Sequence, residues 1–181
     1  HAKQRFQMSP QPEKPMKPDQ TQWIEAIVAR YERPLCQYAY RLTGNFDAAR
    51  DAVQDTFLKL CREGVLEDDR VAPWLFRVCR NRCIDVLRKD KPMQTLTDAQ
   101  AAVLPDPGRS PAEETGLRES VSLLLRKLAQ LPANQAEVIR LKFQHQMSYR
   151  EIAAVTALSE TNVGYLIHVG IQTLRRQTAQ S

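Results

Sequence analysis

The stretch MSYREIAAVTALSETNVGYLIHVGIQTLRR, Met147 to Arg176, decides how the C-terminal half of this chain folds. Ser148 and Glu151 stand at the spacing of a capping box, in which each side chain satisfies a backbone N–H at a helix start. A short helix with Ile152, Ala153 and Val155 follows, the break Thr156-Ala157-Leu158 ends it, and Ser159 supplies the N-cap of a second helix. At roughly 100° per residue, Val163, Leu166, Ile167, Gly170, Ile171 and Leu174 share one arc of that helix. Thr161, Tyr165, His168, Val169, Gln172, Arg175 and Arg176 lie outward. A helix of about eight residues, a tight turn and a longer helix is the spacing of a helix-turn-helix, whose second helix enters the major groove of DNA. On that reading Glu160, Thr161, Asn162 and Tyr165 reach base edges while Arg175 and Arg176 meet phosphate. His168 is given a solvent or phosphate role only. A plain helical hairpin with a polar outer face shares the pattern, and stays open at this point.

Upstream, Ser110-Pro111-Ala112-Glu113 has the form of another capping box, opening a module over 111–181 with helices in ESVSLLLRKLAQ and ANQAEVIRLKFQ, punctuated at Leu131-Pro132. Residues 91–110 hold three prolines and a glycine without sustained period, and read as a linker. Residues 1–18, rich in Lys, Gln, Pro and Met, read as a disordered tail. The chain opens on His, which reads as a processed, truncated or appended start.

Between tail and linker, 19–90 is helical in pattern. A first helix, WIEAIVARYERPLCQYAYRL, breaks at Thr43-Gly44-Asn45. A second, DAARDAVQDTFLKLC, sets Ala48, Ala49, Ala52, Val53, Phe57, Leu58 and Leu60 in a stripe beside a row of acids and ends at Arg62-Glu63-Gly64. The acidic loop VLEDDR leads to Pro73, placed at a first helical position where its missing N–H costs nothing. In PWLFRVCRNRCIDVLRKDK the apolar arc is Leu75, Phe76, Cys79, Cys83, Val86 and Leu87. Arg77, Arg80, Asn81, Arg82, Asp85, Arg88 and Lys89 face the other way, with Trp74 on the basic side, where it could stack on a base. A solvated charged face is the alternative. The pattern as a whole predicts an all-α protein of two small helical domains joined by a flexible linker.

Composition narrows the function classes. The 181 residues carry a net charge of +5, which permits nucleic-acid binding without requiring it. The excess is uneven: residues 21–92 hold 13 basic and 11 acidic side chains, 93–116 hold 1 and 4, and 117–181 hold 8 and 4. Cys36, Cys61, Cys79 and Cys83 form no CxxC and no His completes a zinc set, so buried reduced thiols are expected, with no metal or cofactor. No apolar run approaches the ~20 residues that span a bilayer, and a cytoplasmic protein without membrane insertion is expected.

Taken together, these segments resemble the extracytoplasmic-function (ECF) group of bacterial RNA polymerase sigma factors, which keep two domains, regions 2 and 4. YERPLCQYAYRLTGNFDAARDAVQDTFLKL is similar to the start of region 2, PWLFRVCRNRCIDVLRK to its end, and LPANQAEVIRLKFQHQMSYREIAAVTALSETNVGYLIHVGIQTLRR to region 4. The resemblance implies an alternative sigma factor that binds core polymerase, recognises −10 and −35 promoter elements and directs initiation without being an enzyme. It implies docking on core polymerase by Asp51, Gln54, Asp55, Phe57 and Leu58. It implies binding of the −10 strand by Trp74, Arg77, Arg80, Asn81 and Arg88, with base capture by the loop Arg62 to Arg70. It implies −35 contacts from Ser159, Glu160, Thr161, Asn162, Tyr165, His168, Arg175 and Arg176, and an anti-sigma factor as a possible further partner. Members often carry basic residues where this helix has Gly164 and Leu166, so phosphate anchoring falls to Lys142, Arg150, Arg175 or Arg176. Two other classes remain at this point: a stand-alone helix-turn-helix regulator, which leaves the basic face of 73–91 idle, and a thiol- or metal-dependent sensor or enzyme.

Overall fold

A computed structural model describes residues 18–64, 67–89 and 115–179, so the expected linker, the expected capping box at 110–113 and all of the expected tail but Pro18, which opens a helix, lie outside the described residues. Among the described residues seven helices run: α1 Pro18–Thr43, α2 Phe46–Glu63, α3 Asp68–Lys89, α4 Thr115–Ala129, α5 Ala133–Phe143, α6 Tyr149–Thr156 and α7 Glu160–Ala179. Among the described residues there is no strand. The all-α, two-unit reading holds.

The first unit is α1, α2 and α3 packed against one another. The turn between α1 and α2 falls at Gly44-Asn45, where the Asn45 side chain accepts the Ala48 N–H at 3.0 Å. Gly64 closes α2 with its N–H on the Leu60 carbonyl at 3.0 Å, in a left-handed conformation (φ 89°) that a Cβ would strain. Ala49 and Ala52 are buried on α2 and, having little side chain, let α1 and α3 approach closely. Val53, Leu60, Leu75, Phe76, Cys79 and Cys83 complete the core. Thr56 is buried with them, its hydroxyl donating to the Ala52 carbonyl at 2.7 Å, which satisfies the polar group without leaving the helix.

Three expectations need correction. Leu58, expected in the α2 stripe, is 54% exposed. Leu87, near the end of α3, is exposed as well, at 37%. Pro73 does not open its helix: α3 begins at Asp68, so Asp68, Asp69 and Arg70 of the expected acidic loop are helix, with Asp68 and Asp69 meeting the positive end of the dipole. Pro73 then falls inside the helix, where it withholds one backbone donor.

The thiols of Cys79 and Cys83, one turn apart, are hydrogen-bonded to each other inside this core. That bond and burial hold Cys79 far above the ordinary thiol range, while the same bond, helped by Arg80 and Arg82, draws Cys83 below it against the opposing effect of burial. Among the described residues no group of three or more His, Cys, Asp or Glu converges as metal ligands would, and no helix is long and apolar enough to cross a membrane.

The second unit is α4 to α7. Leu128, Leu131, Ala136 and Ile139 pack with Ile171 and Leu174, while Val163, Leu166 and Ile167 of α7 seat against the rest of the core. Gly170 sits close against α5: a Cβ on it would meet the Ile139 Cδ1 at 2.6 Å, so any larger residue would force that side chain to shift.

The sequence did not disclose that the two units are joined by buried contacts. One core cluster runs through both, with α6 lying on α3. The Phe76 ring sits between Tyr38 at 5.1 Å and His145 at 4.4 Å. Burial, helped by repulsion from Arg41, lowers the His145 pKa to about 4. The closed seam therefore holds His145 neutral, whereas a released histidine titrates at its ordinary value of 6.5. Above pH ~6.5 both states are neutral and stability is unaffected. Below it the released state alone takes the proton, so stability should fall towards pH 4 by at most about 1.4 kcal/mol per pH unit. Urea melts between pH 7 and pH 5 should show the loss, and His145→Gln should flatten it; equal slopes in both proteins would refute the assignment.

Candidate nucleic-acid interface

On α7 the capping geometry fixes what faces outward. The Ser148 Oγ accepts the Glu151 N–H at 3.2 Å, and the Glu151 carboxylate accepts the Ser148 N–H at 2.6 Å. Ala157 then turns the chain in the left-handed region (φ 59°), and the Ser159 Oγ accepts the Asn162 N–H at 3.1 Å. Ser159 is thus occupied as a cap. Glu160, Thr161, Asn162, Tyr165, His168, Arg175 and Arg176 are all exposed, Tyr165 to 63%. His168 shares a 2.9 Å hydrogen bond with Gln172, and Arg176 donates to Thr173 at 3.4 Å, so both side chains are held to the helix surface.

The uncharged middle of this helix has a structural cause. Leu166 is buried, so a cation there would lie in the core. Gly164 faces the Tyr149 ring, 3.3 Å from where a Cβ would stand. Tyr149, a residue the sequence reading passed over, is itself exposed beside α7, with the Lys142 ammonium 5.3 Å from its ring centre. Lys142 also donates to the Met147 carbonyl at 3.3 Å, and Arg150 is exposed next to Tyr149.

On α3 the basic face is divided among three environments. Arg77, Asn81 and Arg88 are exposed. Arg82 donates to Asp55 on α2 at 2.6 Å. Arg80 reaches the other unit, its Nε donating to the Glu137 Oε1 at 2.8 Å and its Nη2 to the Oε2 at 3.4 Å. The Tyr38 hydroxyl donates to the same Oε1 at 2.7 Å. Burial would lower the Arg80 guanidinium, but the Glu137 carboxylate overrides it and raises the pKa. Burial and Glu137 together hold the Tyr38 phenol well above its usual range, as a donor. Trp74, expected on the open basic side, is half-buried and packs against the core. No pattern in sequence could have paired Glu137 with Arg80, since 57 residues separate them.

On α2 Asp51, Gln54 and Leu58 are exposed and fall at the i, i+3 and i+7 positions of one face, with Asp55 half-buried beside them. Phe57 leaves that face and packs on the core. An acidic rim around one exposed leucine suits a basic, partly apolar partner surface.

The chain is similar to known proteins along both units. The family described as Sigma-70 region 2 matches residues 27–92, and Sigma-70, region 4 matches residues 122–174. The chain is 28% identical over 141 residues to the ECF RNA polymerase sigma factor SigM of Bacillus subtilis, covering 77% of this chain and 85% of the relative. It is 28% identical over 155 residues to SigL of Mycobacterium tuberculosis, covering 84% and 86%. Its fold is shared by CnrH, solved in complex with the cytosolic domain of CnrY (TM-score 0.56, 24% identity, 89% and 90% covered). It is shared too by RpoE from Bartonella quintana, solved with the anti-sigma factor NepR (TM-score 0.60, 23% identity, 87% and 95% covered). With region 2 in α1 to α3, region 4 in α4 to α7 and ECF sigma factors along most of its length as relatives, the chain belongs to the ECF group of sigma factors.

Proposed function

We propose that this chain is the promoter-selecting subunit of a bacterial RNA polymerase: α2 docks on core polymerase, α3 holds the melted −10 strand and α7 reads the −35 duplex. The observation that carries this reading is the presence, in one chain, of a cationic helix face and an exposed recognition helix borne on separate sigma regions. Arg77, Arg80 and Arg88 supply cations for a single strand's backbone and Asn81 an amide for base edges. Tyr165 and the first turn of α7 meet bases in the major groove, and the arginines at its far end meet phosphate. The bond-making belongs to polymerase, so this chain chooses where initiation begins and works where polymerase does, in the cytoplasm. CnrH and RpoE were each solved with a bound partner, NepR being an anti-sigma factor, and a regulator of that kind is the natural third partner here.

Gel filtration with purified core polymerase, followed by run-off transcription from a cognate promoter, is the direct test. Co-elution and a promoter-dependent transcript are expected, and absence of both would overturn the reading. A finer test concerns phosphate contacts. Arg175→Ala with Arg176→Ala should weaken −35 duplex binding across sequences and lessen the slope of log K against log salt by about 0.9 per lost contact. A slope equal to that of the unaltered protein would remove both arginines from the interface.

A further inference from the structure

Glu137 sits on α5, in the unit that carries the recognition helix, yet its carboxylate is committed to the strand-binding unit. It accepts from Tyr38 at 2.7 Å and from Arg80 at 2.8 and 3.4 Å. The side chains are largely withdrawn from solvent, Arg80 to 20% and Glu137 to 11% exposure. Two Arg80 nitrogens gripping two oxygens of one planar anion, with a phenol completing the set, is how proteins bind carboxylate and phosphate alike. Resting on the reading above, which gives Arg80 to the −10 strand, we infer that Tyr38 and Arg80 form an anion seat for a backbone phosphate of that strand, and that the Glu137 carboxylate occupies this seat in the closed chain.

The two occupants exclude each other, because the guanidinium edge that bonds Glu137 cannot at once bond a phosphate. Strand engagement then requires region 4 to leave α3, taking Glu137 with it and exposing the Tyr38 hydroxyl. The seam is built to part. Arg41 of α1 faces both Arg140 and His145 of the opposite unit, and repulsion from it is one cause of the lowered pKa of each. The Arg140 Nε is buried with no hydrogen-bond partner. Against that like-charge cluster Glu137 supplies the ionic bridge across the seam, beside the apolar contacts of Phe76 with His145 and of α6 with α3.

The experiment uses the full-length chain without core polymerase. Small-angle scattering measures its radius of gyration, and fluorescence anisotropy measures binding of a labelled single-stranded non-template −10 oligonucleotide. Glu137→Gln should expand the chain and bind the strand at least tenfold more tightly, while −35 duplex affinity stays within twofold. Glu25→Gln, which removes an equally negative but exposed group on α1, should change strand affinity less than twofold and so controls for net charge. Adding Tyr38→Phe to Glu137→Gln should give back several-fold of the gain, because the freed seat has lost its phenol donor. Unchanged dimensions and strand affinity in Glu137→Gln, with run-off transcription intact, would overturn the proposal and leave the sigma reading standing. If neither protein binds core or yields a transcript, the sigma reading falls and the proposal falls with it.

Discussion

Phe76→Ala is expected to destabilise the protein by about 3–5 kcal/mol, the range for truncating a fully buried aromatic in a core that cannot collapse around the loss. Phe76 is 0% exposed, and its ring is held edge-on by Tyr38 from α1 and covered by His145 from the other unit. Both neighbours are anchored elsewhere: Tyr38 by its bond to Glu137 and His145 by its place between α5 and α6. Neither can swing in to fill the space. Small domains hold about 5–15 kcal/mol in all, so the loss removes a large share of stability and should lower the melting temperature by about 6–20 °C. Phe46→Ala supplies the contrast, because Phe46 is exposed at the start of α2 and its loss should fall within about 0.5 kcal/mol. Thermal melts of the two variants decide the matter. A drop of only a few degrees for Phe76→Ala would mean that the seam is hydrated or loosely packed.

Leu58→Arg is expected to weaken binding to core polymerase by roughly thirtyfold while leaving the helical melting curve in place. Leu58 is more than half exposed on α2, so charge there costs the fold little. It lies one helical turn beyond Gln54 and Asp55 and two beyond Asp51 on the same face, where an apolar anchor beside acids has the make-up of an interface hot spot worth about 2 kcal/mol. An added cation would also repel the basic surface that those acids suit. Asp55→Arg is the less informative change, since Asp55 also holds Arg82 on α3 and its reversal sets two guanidinium groups side by side. Titration of labelled core polymerase with the Leu58→Arg chain gives the affinity directly. Affinity within twofold of the unaltered protein would remove this face from the docking surface.

What the sequence disclosed was local. Capping residues at Ser148, Glu151 and Ser159 act within three or four positions, and their hydrogen bonds lie where the spacing put them. Periodicity placed Val163, Leu166, Ile167 and Gly170 inside and Tyr165 outside for the same reason. The errors came where an apolar residue has two equally good fates. Leu58 fits a helical stripe, and only the position of the neighbouring helices shows that nothing covers it. Pro73 fits a helix start, but the acids before it also favour helix, and α3 begins at Asp68. The pairing of Glu137 with Tyr38 and Arg80 was beyond reach, because it joins residues 99 and 57 positions apart. Charge pattern alone offers many acids as partners for an arginine on an exposed helix face.

The 2.6 Å bond between Arg82 and Asp55 spans the gap between the helix that would meet polymerase and the helix that would meet DNA. A protein surface that claims Asp55 for its own cation must take it from Arg82. The freed guanidinium would then join Arg77 and Arg88 in the row facing the strand. Affinity for melted DNA would in that case be a property conferred by assembly, rising by one ionic contact at the moment of docking. Its signature would be a salt dependence of strand binding steeper by about 0.7 in the assembled enzyme than in the free subunit.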